Sequence, residues 1–156
     1  MGERLKSYGM IFLISMVPLT ELRGAIPVGV AMGLEAWPIW FISVIGNMIP
    51  VPFIILCIRG IFQWMKKRKG FCARVAECME KKAAKGAKLF YKYELLGLFI
   101  LVAVPLPGTG AWTGALVAAM LRLRLKAAVP VIGLGVCTAG IVMLLLSYGV
   151  SVFIVG

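Results

Sequence analysis

Val17-Pro18-Leu19-Thr20-Glu21-Leu22-Arg23-Gly24-Ala25-Ile26-Pro27 places an acid and a base inside a stretch, residues 7–34, that is otherwise uncharged and largely apolar. An ionisable side chain at the centre of a bilayer costs about 2.5–3.5 kcal/mol on insertion scales, so its retention needs a reason. Proline lacks the amide N–H and its ring clashes with the preceding turn. The two prolines that bracket the charges therefore predict a break rather than one smooth helix. Backbone that leaves the helix at membrane depth must be covered by protein or by a water-filled cavity. The stretch predicts a polar pocket within an all-α integral membrane protein.

Composition points the same way. Of 156 residues 62% are hydrophobic and 15% charged, with a mean hydropathy of +0.99. A soluble domain carries about 45–50% apolar and about 25% charged residues. The length suits a single polytopic membrane domain over residues 1–156. Eighteen glycines and eight prolines fit broken or closely packed membrane helices.

The net charge is +11, and ten of the 17 Lys and Arg lie between Lys66 and Lys92, with Arg59 just ahead of them. Arg122, Arg124 and Lys126 form a second cluster. Basic residues near membrane ends mark the cytoplasmic side, which explains both clusters without a nucleic-acid partner. The expected location is the cell inner (plasma) membrane, as a multi-pass protein.

Cys57, Cys72, Cys78 and Cys137 match no zinc spacing, and histidine is absent. Neither a metal site, a cofactor nor a disulfide framework is expected. No nucleophile–base pair, phosphate-cradling loop or paired carboxylate is present, so an enzyme is not expected.

Four apolar blocks cover residues 8–34, 37–64, 95–121 and 127–155. Pro50-Val51-Pro52 interrupts the second, and its prolines predict a kink there. Pro105-Leu106-Pro107-Gly108-Thr109-Gly110 breaks the third. An ungapped offset of 87 aligns Val17-Pro18-Leu19 with Val104-Pro105-Leu106, and Val44-Ile45-Gly46 with Val131-Ile132-Gly133. The same offset pairs Phe12 with Phe99 and Leu34 with Leu121. This reads as an internal duplication: repeat one over 8–64, a basic cytoplasmic connector over 65–93, and repeat two over 95–155.

The half-segments 8–19 and 24–34 fall short of the about 20 residues that a spanning helix needs. Each broken block is then an interrupted span or a re-entrant hairpin. Hairpins place Arg122, Arg124 and Lys126 on the cytoplasmic side with the connector; interrupted spans do so for Arg4 and Lys6 instead. We take the hairpins as the expected arrangement. The fold is then two inverted repeats, each a broken re-entrant helical hairpin followed by a spanning helix. Between them the spacing of Phe71, Val75 and Met79, with Lys81, Lys82, Lys85, Lys88 and Lys92 dense around the second half, predicts a cytoplasmic amphipathic helix over 71–93.

Thr20-Glu21-Leu22-Arg23-Gly24-Ala25-Ile26-Pro27 and Pro105-Leu106-Pro107-Gly108-Thr109-Gly110-Ala111-Trp112-Thr113-Gly114-Ala115 resemble the signatures of the small multi-drug export protein family, over nearly the whole chain. That family is distantly similar to the DedA (SNARE-associated) membrane proteins. The resemblance implies two re-entrant hairpins that meet in the bilayer and a transport role. The DedA likeness implies translocation of polyprenyl-phosphate or another lipid, coupled to ions. This chain departs from the DedA pattern in carrying no acidic or basic residue between Leu95 and Leu121.

The expected substrate and ion site comprises Glu21, Arg23, Pro27, Asn47, Pro107, Gly108, Thr109, Gly110, Trp112 and Thr113. Glu21 is the candidate carrier of a coupling proton or sodium ion. Arg23, with its planar donor fork, is the candidate ligand for an anionic headgroup. A buried ion pair that locks the hairpin is the structural alternative. The Pro107–Gly110 turn offers backbone amides, and a helix opening near Ala111 would aim its N-terminus at the same pocket. Trp112 could stack on a ligand or simply pack, and Asn47 could bond to substrate or to a neighbouring helix. The function expected is ion-coupled export of a small amphipathic or lipid-like molecule. Polyprenyl-phosphate or phospholipid translocation and a non-transporting scaffold or assembly factor are the alternatives. Expected partners are membrane lipids, the substrate, the coupling ion and a second copy of the chain in a homodimer, for which Gly29 and Gly33 offer a small-residue pair.

Overall fold

The structure is a computed structural model that describes residues 2–18, 20–67, 91–106 and 109–155. The amphipathic helix expected over 71–93 lies almost wholly outside them. Helix α1 (Gly2–Met16) and α2 (Glu21–Ala31) fold on each other across a short turn. Helix α3 (Ala36–Met48) continues into α4 (Pro50–Lys67). Helices α5 (Tyr91–Ala103) and α6 (Ala111–Met120) form a second hairpin, and α7 (Leu125–Val155) follows it. The described residues contain no strand.

Proline placement explains the boundaries. The first hairpin breaks on the Pro18 side only, and Pro27 sits inside α2. Pro27 cannot donate to the Arg23 carbonyl, so α2 loses one internal bond there without ending. Pro50 and Pro52 occupy the first turn of α4, where helix amides lack internal partners anyway. The chain bends at Ile49 while its N–H still reaches the Ile45 carbonyl at 3.2 Å.

Two stretches of 26 residues, Ala36–Ile61 and Leu125–Val150, are long and apolar enough to cross a bilayer, at about 39 Å each. In the apolar 18-residue window of each, only 28% lies buried within the protein. Their remaining faces carry Phe41, Ile45, Phe53, Leu134, Ile141 and Leu145 exposed, a surface that lipid solvates and water does not. Trp37, Trp64 and Tyr93 are exposed at helix ends, the position of interfacial anchors. The chain is a multi-pass helical membrane protein.

Both hairpins end alike. Leu34 N–H bonds the Gly29 carbonyl and Gly33 N–H the Val30 carbonyl; Leu123 and Arg122 do the same to Ala118 and Ala119. These are paired Schellman caps. The residue each needs in the left-handed region is Gly33 (φ 68°) in one and Arg122 (φ 54°) in the other. Gly29 is packed against Ile39 of α3, where an added Cβ would lie 2.9 Å from that side chain. Its small size serves the packing of α2 on α3, not the helix–helix contact between copies that the sequence offered.

The corresponding positions revise the ungapped offset. The hairpins' first arms keep the offset of 87, ending at Met16 and Ala103. The long helices begin at Ala36 and Leu125, an offset of 89. The close approaches agree: a Cβ on Gly46 would lie 3.0 Å from the Phe12 carbonyl, and one on Gly135 would lie 3.2 Å from the Phe99 carbonyl. Gly135, not Gly133, is therefore the counterpart of Gly46. The extra residues enter at the second hairpin tip, which an ungapped alignment cannot accommodate.

The second half of each long stretch crosses to the other hairpin. An Arg59 Nη on α4 donates to the Leu123 carbonyl at the end of α6. The Tyr148 hydroxyl on α7 donates to the Leu34 carbonyl at the end of α2, at 3.2 Å. Both donors and both acceptors are 89 residues apart.

Gly135→Ala should destabilise the protein by about 1–3 kcal/mol, the usual cost of overpacking, because its Cβ would meet Val102 Cβ at 2.8 Å. Gly133→Ala, whose Cβ meets only the flexible Met48 tip at 3.5 Å, should be neutral. Thermal unfolding of both variants in detergent checks this. Equal effects would restore the ungapped offset.

Candidate functional site

The break between α1 and α2 leaves Glu21 as the first residue of α2, in the left-handed region at φ 47°. A non-glycine residue there carries strain of about 1–3 kcal/mol, held by its surroundings. Glu21 is 5% exposed, and its Oε1 accepts the backbone N–H of Trp112 at 3.2 Å. Trp112 is the second residue of α6, whose preceding residue, Gly110, offers no side-chain cap. The carboxylate of one hairpin thus caps the opening helix of the other. A helix N-terminus carries unpaired amides and a partial positive charge, so a carboxylate is its natural complement.

Gly110 makes this approach possible. A Cβ there would lie 2.6 Å from the Glu21 carboxyl carbon, and its φ of 147° disfavours any side chain. Beyond forming the turn, Gly110 admits the carboxylate.

Arg23 does the converse. One Nη donates to the Leu106 carbonyl; the other reaches the Val104 carbonyl at 3.0 Å and Thr109 Oγ1 at 2.9 Å. Those carbonyls follow the C-terminal end of α5, where a cation complements the helix dipole. The Thr109 hydroxyl also lies 3.0 Å from the carbonyls of Val104 and Leu106, either of which can take its proton. Glu21 and Arg23 therefore bond to the second hairpin rather than to each other, and the two-residue spacing that diverges on a helix serves two separate helix ends.

The structure thus brings Glu21, Arg23, Thr109, Gly110 and Trp112 together. Thr113 follows on α6, half-buried. Pro27 lies nearly two turns along α2 from Glu21, so its ring is a feature of the helix rather than of the tip. Asn47 is fully buried on α3, and neither its Nδ2 nor its Oδ1 has a partner among the described residues. Pro107 and Gly108 lie outside the described residues. Among the described residues no cluster of His, Cys, Asp or Glu is placed to hold a metal ion.

Three contributors lie outside the site expected from the sequence. The Val104 and Leu106 carbonyls carry no residue-type signal. The Trp112 amide was considered only as part of a helix start. Ser43, buried and unpartnered one turn before Asn47, was visible as a polar residue four positions earlier in an apolar helix.

Arg23→Lys should lower stability by about 1–2 kcal/mol, because one ammonium cannot serve three acceptors on two sides of a planar fork. Arg23→Ala should cost more, leaving carbonyls unpaired in an apolar setting. Denaturation in detergent measures both; a neutral Arg23→Ala would show that the bonds to Val104 and Leu106 hold nothing together.

No curated protein and no solved structure matches the chain. Residues 21–142 match the family described as "Putative small multi-drug export protein". The matched segment takes in Glu21, Arg23, the second hairpin tip and most of both long apolar stretches, and the role this description implies is membrane export rather than enzymatic catalysis. The chain belongs to this family.

Proposed function

We propose that the chain is an ion-coupled secondary exporter of the cell inner membrane, with Glu21 exchanging its helix-capping role for a coupling ion. One observation carries this reading: a buried carboxylate occupies a helix N-terminus as an anionic ligand would. A proton on Glu21 removes its charge and frees the α6 amides for another anion. A sodium ion on the carboxylate would act in the same sense. The carboxylate or phosphate of an amphipathic substrate then takes the vacated amides, ion and anion cross together in the direction their summed gradients set, and release of both returns Glu21 to the amides. The charge of the pocket stays constant through the exchange, which a low-dielectric site favours.

In this reading the two hairpins are re-entrant and form inverted repeats. The crossed bonds from Arg59 to Leu123 and from Tyr148 to Leu34 support it, because they tie α4 to the end of α6 and α7 to the end of α2. Arg122, Arg124 and Lys126 follow α6 beside the end of α4, on the side of the basic connector. Glu35 and Trp37 lie where α2 ends, with Tyr148 of α7. The charge rule makes the first side cytoplasmic. Coupling of two small pockets in a homodimer rests on chain size alone.

The second reading, translocation of polyprenyl-phosphate or phospholipid as in DedA proteins, is favoured by the anion preference of a helix N-terminus. The scaffold reading is favoured by the bonds of Glu21 and Arg23 to opposing backbone.

Reconstituted liposomes under an imposed proton gradient, loaded with a fluorescent polyprenyl-phosphate analogue or a cationic dye, separate these. We expect the phosphate analogue to move with the wild type and at least about tenfold more slowly with Glu21→Gln, a loss of about 1.4 kcal/mol in the barrier. Movement of the dye alone would remove the anion reading and keep the exporter. Movement of neither, with both proteins folded, would leave the scaffold.

A further inference from the structure

Ser43 and Asn47 are both 0% exposed, and among the described residues no side-chain oxygen or nitrogen of either has a partner. They lie one turn apart on the buried side of α3, in line with Ile39. The contact between Gly29 and Ile39 sets the pairing of α2 with the antiparallel α3. Counting along both helices from that contact places Ser43 opposite Ala25 and Asn47 opposite Glu21. Around α3, Asn47 falls between the Ile39 side, which meets α2, and the Trp40 side, whose indole N–H reaches the Cys137 carbonyl of α7 at 3.3 Å. A third such group is the buried Trp112 indole N–H, which has no partner among the described residues and sits on the residue whose amide holds Glu21.

A buried polar group without a hydrogen bond is costly, and native proteins rarely leave one so. Ser43 and Asn47, a turn apart on one face of α3, and the Trp112 indole, on the helix that Glu21 caps, call for a common explanation. Their chemistry is specific. Asn47 presents a donor and an acceptor, Ser43 presents both, and Trp112 presents a donor; none carries charge. The charges nearby face backbone of the second hairpin, Glu21 a helix N-terminus and the Arg23 Nη groups carbonyls, and Arg23 Nε, also buried, adds one more donor without a partner among the described residues. A further ion would find no counter-charge, whereas a hydroxyl or amide would find both bonding senses.

We propose that Ser43, Asn47 and the Trp112 indole form a neutral hydrogen-bonding site that takes a hydroxyl or amide group. Water fills it at rest, and the uncharged polar part of an amphipathic substrate replaces water there. The inference deepens the export reading by adding a neutral subsite to the ionic one, and rests on that reading only for the second occupant. A substrate that bridges both subsites would carry an anionic group and a hydroxyl or amide beside it.

Asn47 is the sole asparagine of the chain, so protein labelled with 15N-asparagine reports on this one side chain. In bilayers, solid-state NMR should show magnetisation passing from water to the Asn47 amide. Hexanol should shift that resonance saturably, while hexylphosphate and hexylammonium at equal concentration should shift it less. Ser43→Ala, which keeps the reporter and removes one partner, should weaken the hexanol response about tenfold, equal to about 1.4 kcal/mol. Transfer from water without a hexanol response limits the occupant to water and overturns the substrate subsite. An Asn47 amide that receives no magnetisation from water and does not respond to hexanol overturns the whole proposal. Neither readout needs flux, so failure here is distinguishable from failure of the Glu21→Gln transport test.

Discussion

A helix that ends inside apolar surroundings leaves unpaired amides at its start and unpaired carbonyls at its finish, and hydrocarbon cannot satisfy either. The rest of this structure depends on how that problem is solved. The second hairpin has such ends at Ala103 and Ala111, and its own sequence between Leu95 and Leu121 contains no charge to meet them. The first hairpin supplies both: Glu21 to the opening of α6, and Arg23 to the carbonyls that follow α5. The cost of carrying an acid and a base into the membrane is offset by helix ends that would otherwise be unpaired.

This arrangement makes the hairpin tips interdependent. Removing the charge on Glu21 would leave the α6 amides uncapped, and withdrawing Arg23 would leave the carbonyls after α5 unpaired. The outer ends behave differently. There the hairpins are closed by local caps and tied by bonds from Arg59 and Tyr148 on the opposing long helices. The centre is thus held by charged side chains on opposing backbone, and the rims by local caps and crossing hydrogen bonds.

Much of this was legible in the sequence, and the reasons are local. Apolar block length announced the two spans, and the Pro-Leu pair at 18–19 and 105–106 announced the breaks. The charges at Glu21 and Arg23 announced the centre. Three things were not legible. Pro27 lies within α2, because a helix tolerates one lost internal bond when packing holds it. The offset between halves changes from 87 to 89 at the second tip, so Gly133 stood in for Gly135 and the pairing of Arg59 with Tyr148 was invisible. The partners of Glu21 and Arg23 are mostly backbone groups more than 80 residues away, and backbone groups carry no residue signature.

The most direct test of the central claim is amide hydrogen exchange at Ala111 and Trp112, compared between the wild type and Glu21→Ala. If the carboxylate caps α6 across the hairpins, these two amides exchange slowly in the wild type. In the variant they should exchange at least about tenfold faster, the equivalent of about 1.4 kcal/mol, while amides in the middle of α7 are unchanged. Equal protection of Ala111 and Trp112 in both proteins would contradict the account, because α6 would then be capped by something other than Glu21.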